Sequence, residues 1–176
     1  MRLFVAINVD EAVRQRLAVL LKMLRASGTG SFVRPENLHI TLAFLGEQSG
    51  TERARDAMDA VCAAPFSLTF GDLGRFRREG GDILWLGIER SVPLTDLHDS
   101  LNAALCKQNL PTETRPFRQH LTLGRQVLLR QPLEHETFSI GSAVLDVNTI
   151  SLMRSDRVEG RLEYTELFRK SLLHKQ

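Results

Sequence analysis

Arg34-Pro35-Glu36-Asn37-Leu38-His39-Ile40-Thr41-Leu42 and Arg115-Pro116-Phe117-Arg118-Gln119-His120-Leu121-Thr122-Leu123 share one framework, Arg-Pro-x-x-x-His-x-Thr-Leu, at a separation of 81 residues. The same shift aligns residues 3–42 with 84–123 without a gap. Leu3 falls on Leu84, Ile7 on Ile88, Leu20 on Leu101 and Leu24 on Leu105. Adding Arg34/Arg115, Pro35/Pro116, His39/His120, Thr41/Thr122 and Leu42/Leu123 gives nine identities in forty positions, five of them in the one motif. Phe4 with Trp85, Val5 with Leu86 and Ile40 with Leu121 are close in kind. Clustering of this sort indicates two copies of one structural unit.

Each copy opens with a short apolar strand, predicted over Leu3–Asn8 and Ile83–Glu89. An amphipathic helix follows. Val13, Leu17, Leu20, Leu21 and Leu24 recur at helical spacing behind Asp10 as N-cap, and Leu94, Leu97, Leu101 and Leu105 do so behind Pro93. Polar connections, Ser27–Ser31 and Asn109–Thr114, lead to the His-x-Thr strands. Between the copies the pattern predicts a helix over Thr51–Ala64, a strand over Phe66–Phe76 and a hairpin turn over Arg77–Asp82. Further strands are expected over Ser142–Arg154 and Leu162–Lys170. This order predicts an α+β fold: two pseudo-symmetric lobes of mostly antiparallel sheet, with flanking helices, around a central cleft.

A chain of 176 residues halves into pieces of fewer than ninety, at the small end for independent folding. We therefore read residues 1–176 as one domain, with repeat cores 3–42 and 84–123 and no Pro-, Gly- or Ser-rich linker between them. Hydrophobic residues at 43% and charged residues at 25% exclude disordered and fibrous classes. Leu3–Ile7 is too short for a signal-peptide core or a bilayer span, so a cytoplasmic protein with no membrane partner is expected. Cys62 and Cys106 have no metal-ligand spacing and read as buried free thiols. The net charge of +2 permits an anionic partner without demanding one. Four of the 23 basic residues are Lys (22, 107, 170 and 175), which leaves 19 Arg, the side chain whose planar fork grips phosphate.

Side chains two apart on a strand share a face. His39 and Thr41 therefore point one way while Ile40 and Leu42 point the other, and His120 and Thr122 oppose Leu121 and Leu123 in the same manner. Burial of the apolar pairs turns both polar pairs toward the cleft. With a free pKa near 6.5, one imidazole can be neutral while its partner is protonated. That combination suits in-line phosphoryl transfer, in which a neutral ring takes a proton from water and an imidazolium gives one to the leaving oxygen. Threonine hydroxyls can donate to the non-bridging oxygens. No metal or cofactor enters this scheme. The symmetric spacing leaves open which histidine is acid and which is base.

Asn37-Leu38-His39-Ile40-Thr41-Leu42-Ala43-Phe44-Leu45-Gly46-Glu47 and Arg115–Leu123 resemble the paired signatures of the two-histidine (2H) phosphoesterases, most closely the bacterial RNA 2′,3′-cyclic phosphodiesterases, also called 2′-5′ RNA ligases. Arg2–Ile7, Leu84–Gly87 and the Tyr164 region extend the resemblance over nearly the whole chain. The resemblance implies opening of an RNA 2′,3′-cyclic phosphate to a 2′-phosphomonoester, with weak reversible 2′-5′ joining of tRNA halves. It implies His39 as proton donor, His120 as proton acceptor and a monomeric protein. It also implies that Arg125 contacts phosphate or base and that Phe44 stacks on the terminal base. Both stand at an odd offset of five from their histidines, which on an ideal strand points away from the cleft. A bulge or a strand end is needed to bring them to it, Gly124 is suited to supply one in the second copy, and a place in the core is the other reading of Phe44.

Other basic clusters (Arg75, Arg77 and Arg78; Arg154, Arg157 and Arg161) suit either an RNA backbone or a solvated turn, and Arg34 and Arg115 read as structural. His98, His135 and His174 fall outside the repeat and read as packing or surface residues. Two alternatives remain at this level: a non-catalytic RNA-binding module, and a metallohydrolase ligated by His39 and His120. Two histidines fall short of the three protein ligands usual at catalytic zinc.

Overall fold

A computed structural model describes residues 1–113, 115–130, 132, 138 and 140–173. His135, His174 and Thr114, the last residue of the expected Asn109–Thr114 connection, lie outside the described residues. The elements run β1 (Arg2–Asn8), α1 (Glu11–Ser27), β2 (Gly28–Phe32), a single 3-10 turn (Pro35–Asn37), β3 (His39–Glu47), α2 (Glu52–Asp59), β4 (Phe66–Phe76), β5 (Asp82–Ile88), α3 (Val92–Lys107), β6 (His120–Leu129), β7 (Val144–Val147), β8 (Thr149–Val158) and β9 (Arg161–Ser171). They form two sheets, ordered β3-β1-β8-β9 and β2-β6-β5-β4-β7, in which every pairing is antiparallel. The α+β expectation of two sheet lobes holds. In each, the motif strand (β3 or β6) pairs with the strand that opens its own repeat (β1 or β5).

From Leu3 to Ile7 β1 is apolar because both of its faces are covered there. Leu3, Val5 and Ile7 enter the main core, while Phe4 and Ala6 form a separate cluster with Met153 and Tyr164 on the cleft face. Asp10 caps α1, accepting from the Val13 amide at 2.8 Å, and Val13, Leu17, Leu20, Leu21 and Leu24 are its buried stripe, as the spacing predicts. Ser91 caps α3 with Pro93 in the first turn. Each helix packs on the opposite lobe: α1 lies against β2 and β6, and α3 against β3.

Four readings of the sequence are corrected. Ser27–Ser31 is not a connection: Gly28–Phe32 is a strand that extends the other lobe's sheet by pairing with β6, Thr29 opposite Leu128 and Phe32 opposite Gly124. Ser142–Arg154 is not one strand. Asn148 divides it, with β7 pairing to β4 in one sheet and β8 to β1 in the other. The helix predicted over Thr51–Ala64 is only Glu52–Asp59. Cys62 and Cys106 are exposed free thiols. Cys62 lies beyond the end of α2, and Cys106 follows buried Leu105 by one residue, about 100° around the helix and off the buried stripe.

Candidate active site

His39 and His120 each begin a motif strand, and β3 and β6 approach one another across the seam between the sheets. Each ring is oriented by the same device. Nδ1 of His39 donates to the Asn37 carbonyl at 2.7 Å, and Nδ1 of His120 donates to the Arg118 carbonyl at 2.7 Å. Asn37 and Arg118 are themselves 81 residues apart, so the repeat supplies the main-chain acceptor as well as the ring. A carbonyl can only accept, which places a hydrogen on Nδ1 and leaves Nε2 of each ring as the nitrogen not held by the main chain. Nε2 of His39 lies 3.0 Å from Thr41 Oγ1.

Beyond the threonines each strand carries a bulge. The register with β1 runs Ala6 to Thr41 and then Val5 to Ala43, and that with β5 runs Trp85 to Thr122 and then Leu84 to Gly124. Leu42 and Ala43 are both buried, as are Leu123 and Gly124, so alternation restarts one residue out of phase. Phe44 and Arg125 consequently join their histidines on the cleft side, at five residues' offset. The expected bulge at Gly124 is present, and Ala43 takes the same place in the first copy without a glycine. Phe44 is 47% exposed, which excludes it from the core, and its ring centroid lies 6.4 Å from that of Phe4. The Arg125 charge acts across the cleft on both His39 and Tyr164. All six candidate residues, His39, Thr41, Phe44, His120, Thr122 and Arg125, therefore lie on the cleft-facing sides of β3 and β6.

Aromatic neighbours of the histidines were not singled out as site residues from the sequence. His39 packs against Phe4 (centroids 4.9 Å apart) and edge-on to Tyr164 (5.3 Å). His120 stands edge-on to Phe76 (5.7 Å) and Trp85 (6.2 Å), with the Arg118 guanidinium 5.4 Å over the Phe76 ring. The alignment of Phe4 with Trp85 at the 81-residue shift was the available signal. Burial holds His39 below the ordinary histidine range; the Asn37 hydrogen bond opposes this, and the Arg125 charge adds to it. Burial pushes the Tyr164 phenol up, against the charges of Arg125 and Arg2.

Asn8 pairs with His39 across β1 and β3, and its amide donates to Ser151 Oγ at 3.2 Å and Glu166 Oε2 at 3.3 Å. Burial alone would raise the Glu166 carboxyl. Hydrogen bonds from Arg169 and Ser151, the Arg169 charge and the Asn8 bond together hold it below its usual range. His98, expected to be a packing or surface residue, is buried and stacked on Phe117 at 3.9 Å. Arg34 and Arg115 pair with Glu36 and Glu113 beside their own motifs. Among the described residues, no group of three or more His, Cys, Asp or Glu side chains is placed to hold a metal ion.

Residues 10–159 match the 2′-5′ RNA ligase superfamily. The chain belongs to that superfamily. Among its relatives, a protein of Archaeoglobus fulgidus named RNA 2′,3′-cyclic phosphodiesterase is 38% identical over 128 residues, 71% of this chain and 72% of its own length. The Escherichia coli protein of the same name is 31% identical over 175 residues, 97% of this chain and 96% of its own. The solved structure of E. coli LigT complexed with 3′-AMP superposes with a TM-score of 0.84 over 98% of both chains, at 28% identity. The resemblance read from the two motifs is thus matched in sequence by these relatives and in fold by LigT. No helix among the described residues is long and apolar enough to cross a membrane.

Proposed function

We propose that this protein hydrolyses RNA 2′,3′-cyclic phosphate ends to 2′-phosphomonoesters, with His120 as base and His39 as acid. The observation that carries the reading is the pair of imidazoles on adjoining strands, each with Nδ1 tied to an equivalent carbonyl so that Nε2 is the working nitrogen. Nε2 of His120 takes a proton from the attacking water as the new P–O bond forms. The P–O3′ bond breaks in line, and O3′ leaves with a proton from Nε2 of His39. Thr41 and Thr122 donate to the non-bridging oxygens, Arg125 offsets their charge, and Phe44 stacks on the terminal base. All of these groups belong to the chain itself.

A ring held below the ordinary histidine range is better suited to accept a proton than to give one. A bound substrate works against this: its anionic phosphodiester offsets Arg125 and favours the imidazolium beside it, which suits His39 to the acid's part when there is a leaving group to protonate. Attack by an RNA 5′-hydroxyl in place of water yields a 2′-5′ linkage and accounts for slow, reversible joining of RNA ends, tRNA halves among them. A monomer acting in the cytoplasm is the setting this reading implies. Product identification in the presence of EDTA is the test. A nucleoside 2′,3′-cyclic phosphate should yield the 2′-phosphate, whereas 3′-phosphate as sole product overturns the orientation. Binding of RNA without turnover would favour the non-catalytic alternative, and activity lost to chelator and restored by metal would favour the metallohydrolase.

A further inference from the structure

Beyond Phe4 and Tyr164, the cleft face of the first sheet continues toward its far end. Arg2 follows Phe4 two residues back on β1, about 7 Å by the rise of a strand. It is paired with Ser155, which pairs in turn with Tyr164, and Arg157 pairs with Leu162 one step further out. Arg2, Ser155, Arg157 and Leu162, with Met1, line an open cavity of about 280 Å³. Two acids also border it, and both are engaged: Glu47 with the Met1 ammonium at 3.2 Å and Asp156 with Arg154 at 2.6 Å. Arg2 and Arg157 have no acidic partner among the described residues. The Tyr164 phenol feels both Arg125 and Arg2, so positive charge runs from the histidines past the aromatic floor into this cavity.

We propose that Arg2 and Arg157 form a subsite for the phosphate on the 5′ side of the terminal nucleotide, the linkage that joins the cyclic end to the rest of an RNA strand. This rests on the cyclic phosphodiesterase reading and adds to it a preference for oligonucleotide over nucleoside. With the cyclic phosphate between the histidines and the base on Phe44, the next negative charge of the strand lies one ribose away. Arg2 and Arg157 then stand where two charge-assisted contacts can be made to it. A nucleoside 2′,3′-cyclic phosphate has no such group and leaves the cavity unused.

Two readouts decide the matter, and one needs no turnover. Adenosine 2′,5′-bisphosphate should bind about tenfold more tightly than adenosine 2′-phosphate. By the same contacts, kcat/KM should be about tenfold higher for the 5′-phosphorylated adenosine 2′,3′-cyclic phosphate than for the unphosphorylated one. The double variant Arg2→Gln, Arg157→Gln should bring both ratios to within about twofold of one. The double variant Arg53→Gln, Arg55→Gln, an equal loss of charge on α2, should leave them as in the wild type. Ratios of one in the wild-type protein, or ratios that survive in the double variant, overturn the subsite. Failure of the wild type to hydrolyse either compound overturns the cyclic phosphodiesterase reading instead, and the binding ratio still decides the subsite.

Discussion

His39 and His120 stand at equivalent places in the repeat, and their Nδ1 atoms are held alike, but their surroundings have diverged. In the first lobe Asn8 lies opposite the histidine. In the second that place belongs to Gly87, whose repeat equivalent is Ala6. The strand beside the motif has therefore slid by two residues between lobes. An even slide preserves which face each side chain occupies, so the motif faces survive while the neighbours change. Phe4 lies buried against His39, whereas Trp85 sits directly opposite Thr122. The preceding residue differs too: Leu38 is buried, while Gln119 in its place donates to the Ser91 carbonyl at 2.7 Å and accepts from the Ser91 amide at 2.9 Å. The two copies hold the ring nitrogens alike and differ in what surrounds them.

Substitution of either histidine by Ala should lower turnover of a nucleoside 2′,3′-cyclic phosphate by about two to four orders of magnitude. A loss below tenfold at both positions would remove the mechanism. The two variants should separate on a substrate with sulfur in place of O3′. A thiolate leaves without a proton, so His39→Ala recovers most of its rate while His120→Ala does not. Equal behaviour there would show that the acid and base roles are not divided between lobes.

Phe44→Ala should weaken substrate binding by about tenfold, the lower part of the range for loss of one base stack, with a smaller change in kcat. Steady-state kinetics separate the two parameters, and an unchanged KM would mean that the base lies elsewhere. Gly74 pairs with Trp85, and a Cβ there would collide with the indole. Gly74→Ala is therefore expected to cost about 1–3 kcal/mol in urea unfolding and to displace the ring beside His120. Ala6→Val, on the His39 side of the comparison, tests whether its floor is equally tight.

The smallest effect is on stability against pH. Because the folded His39 pKa is depressed, the unfolded chain binds the extra proton first as pH falls through the ordinary value near 6.5. Unfolding is then favoured progressively below that value and unaffected by this group above it. The share should vanish in His39→Gln, as read from denaturation midpoints between pH 7 and 5. A wild-type slope that survives the substitution would assign it to other groups.

Much of this was legible because two copies repeat the same compromise. One His-x-Thr strand is ambiguous, but two in register fix a face, and Phe44 with Arg125 could be placed conditionally on a bulge. Gly28-Thr29-Gly30-Ser31-Phe32 misled because its composition is that of a loop. The glycines serve a different need: a Cβ on Gly28 would meet the Leu128 carbonyl oxygen at 2.6 Å, and one on Gly30, at φ +142°, would meet the Gln126 carbonyl oxygen at 2.7 Å. Backbone proximity to β6 selects them, and no side-chain pattern reports it. The aromatic floor escaped notice for the opposite reason. Phe4 sits in an unbroken apolar run, and apolarity alone cannot say that one face of β1 meets the core and the other a cleft.

The strand Gly28–Phe32 has a mechanical consequence. It leaves the first half of the chain to be sewn into the second half's sheet before the backbone returns for β3, and the two long helices trade partners in the same direction. Wide parting of the halves would first have to break that seam, separating β2 from β6. Neither half, produced as a separate fragment, should hold its shape without the other.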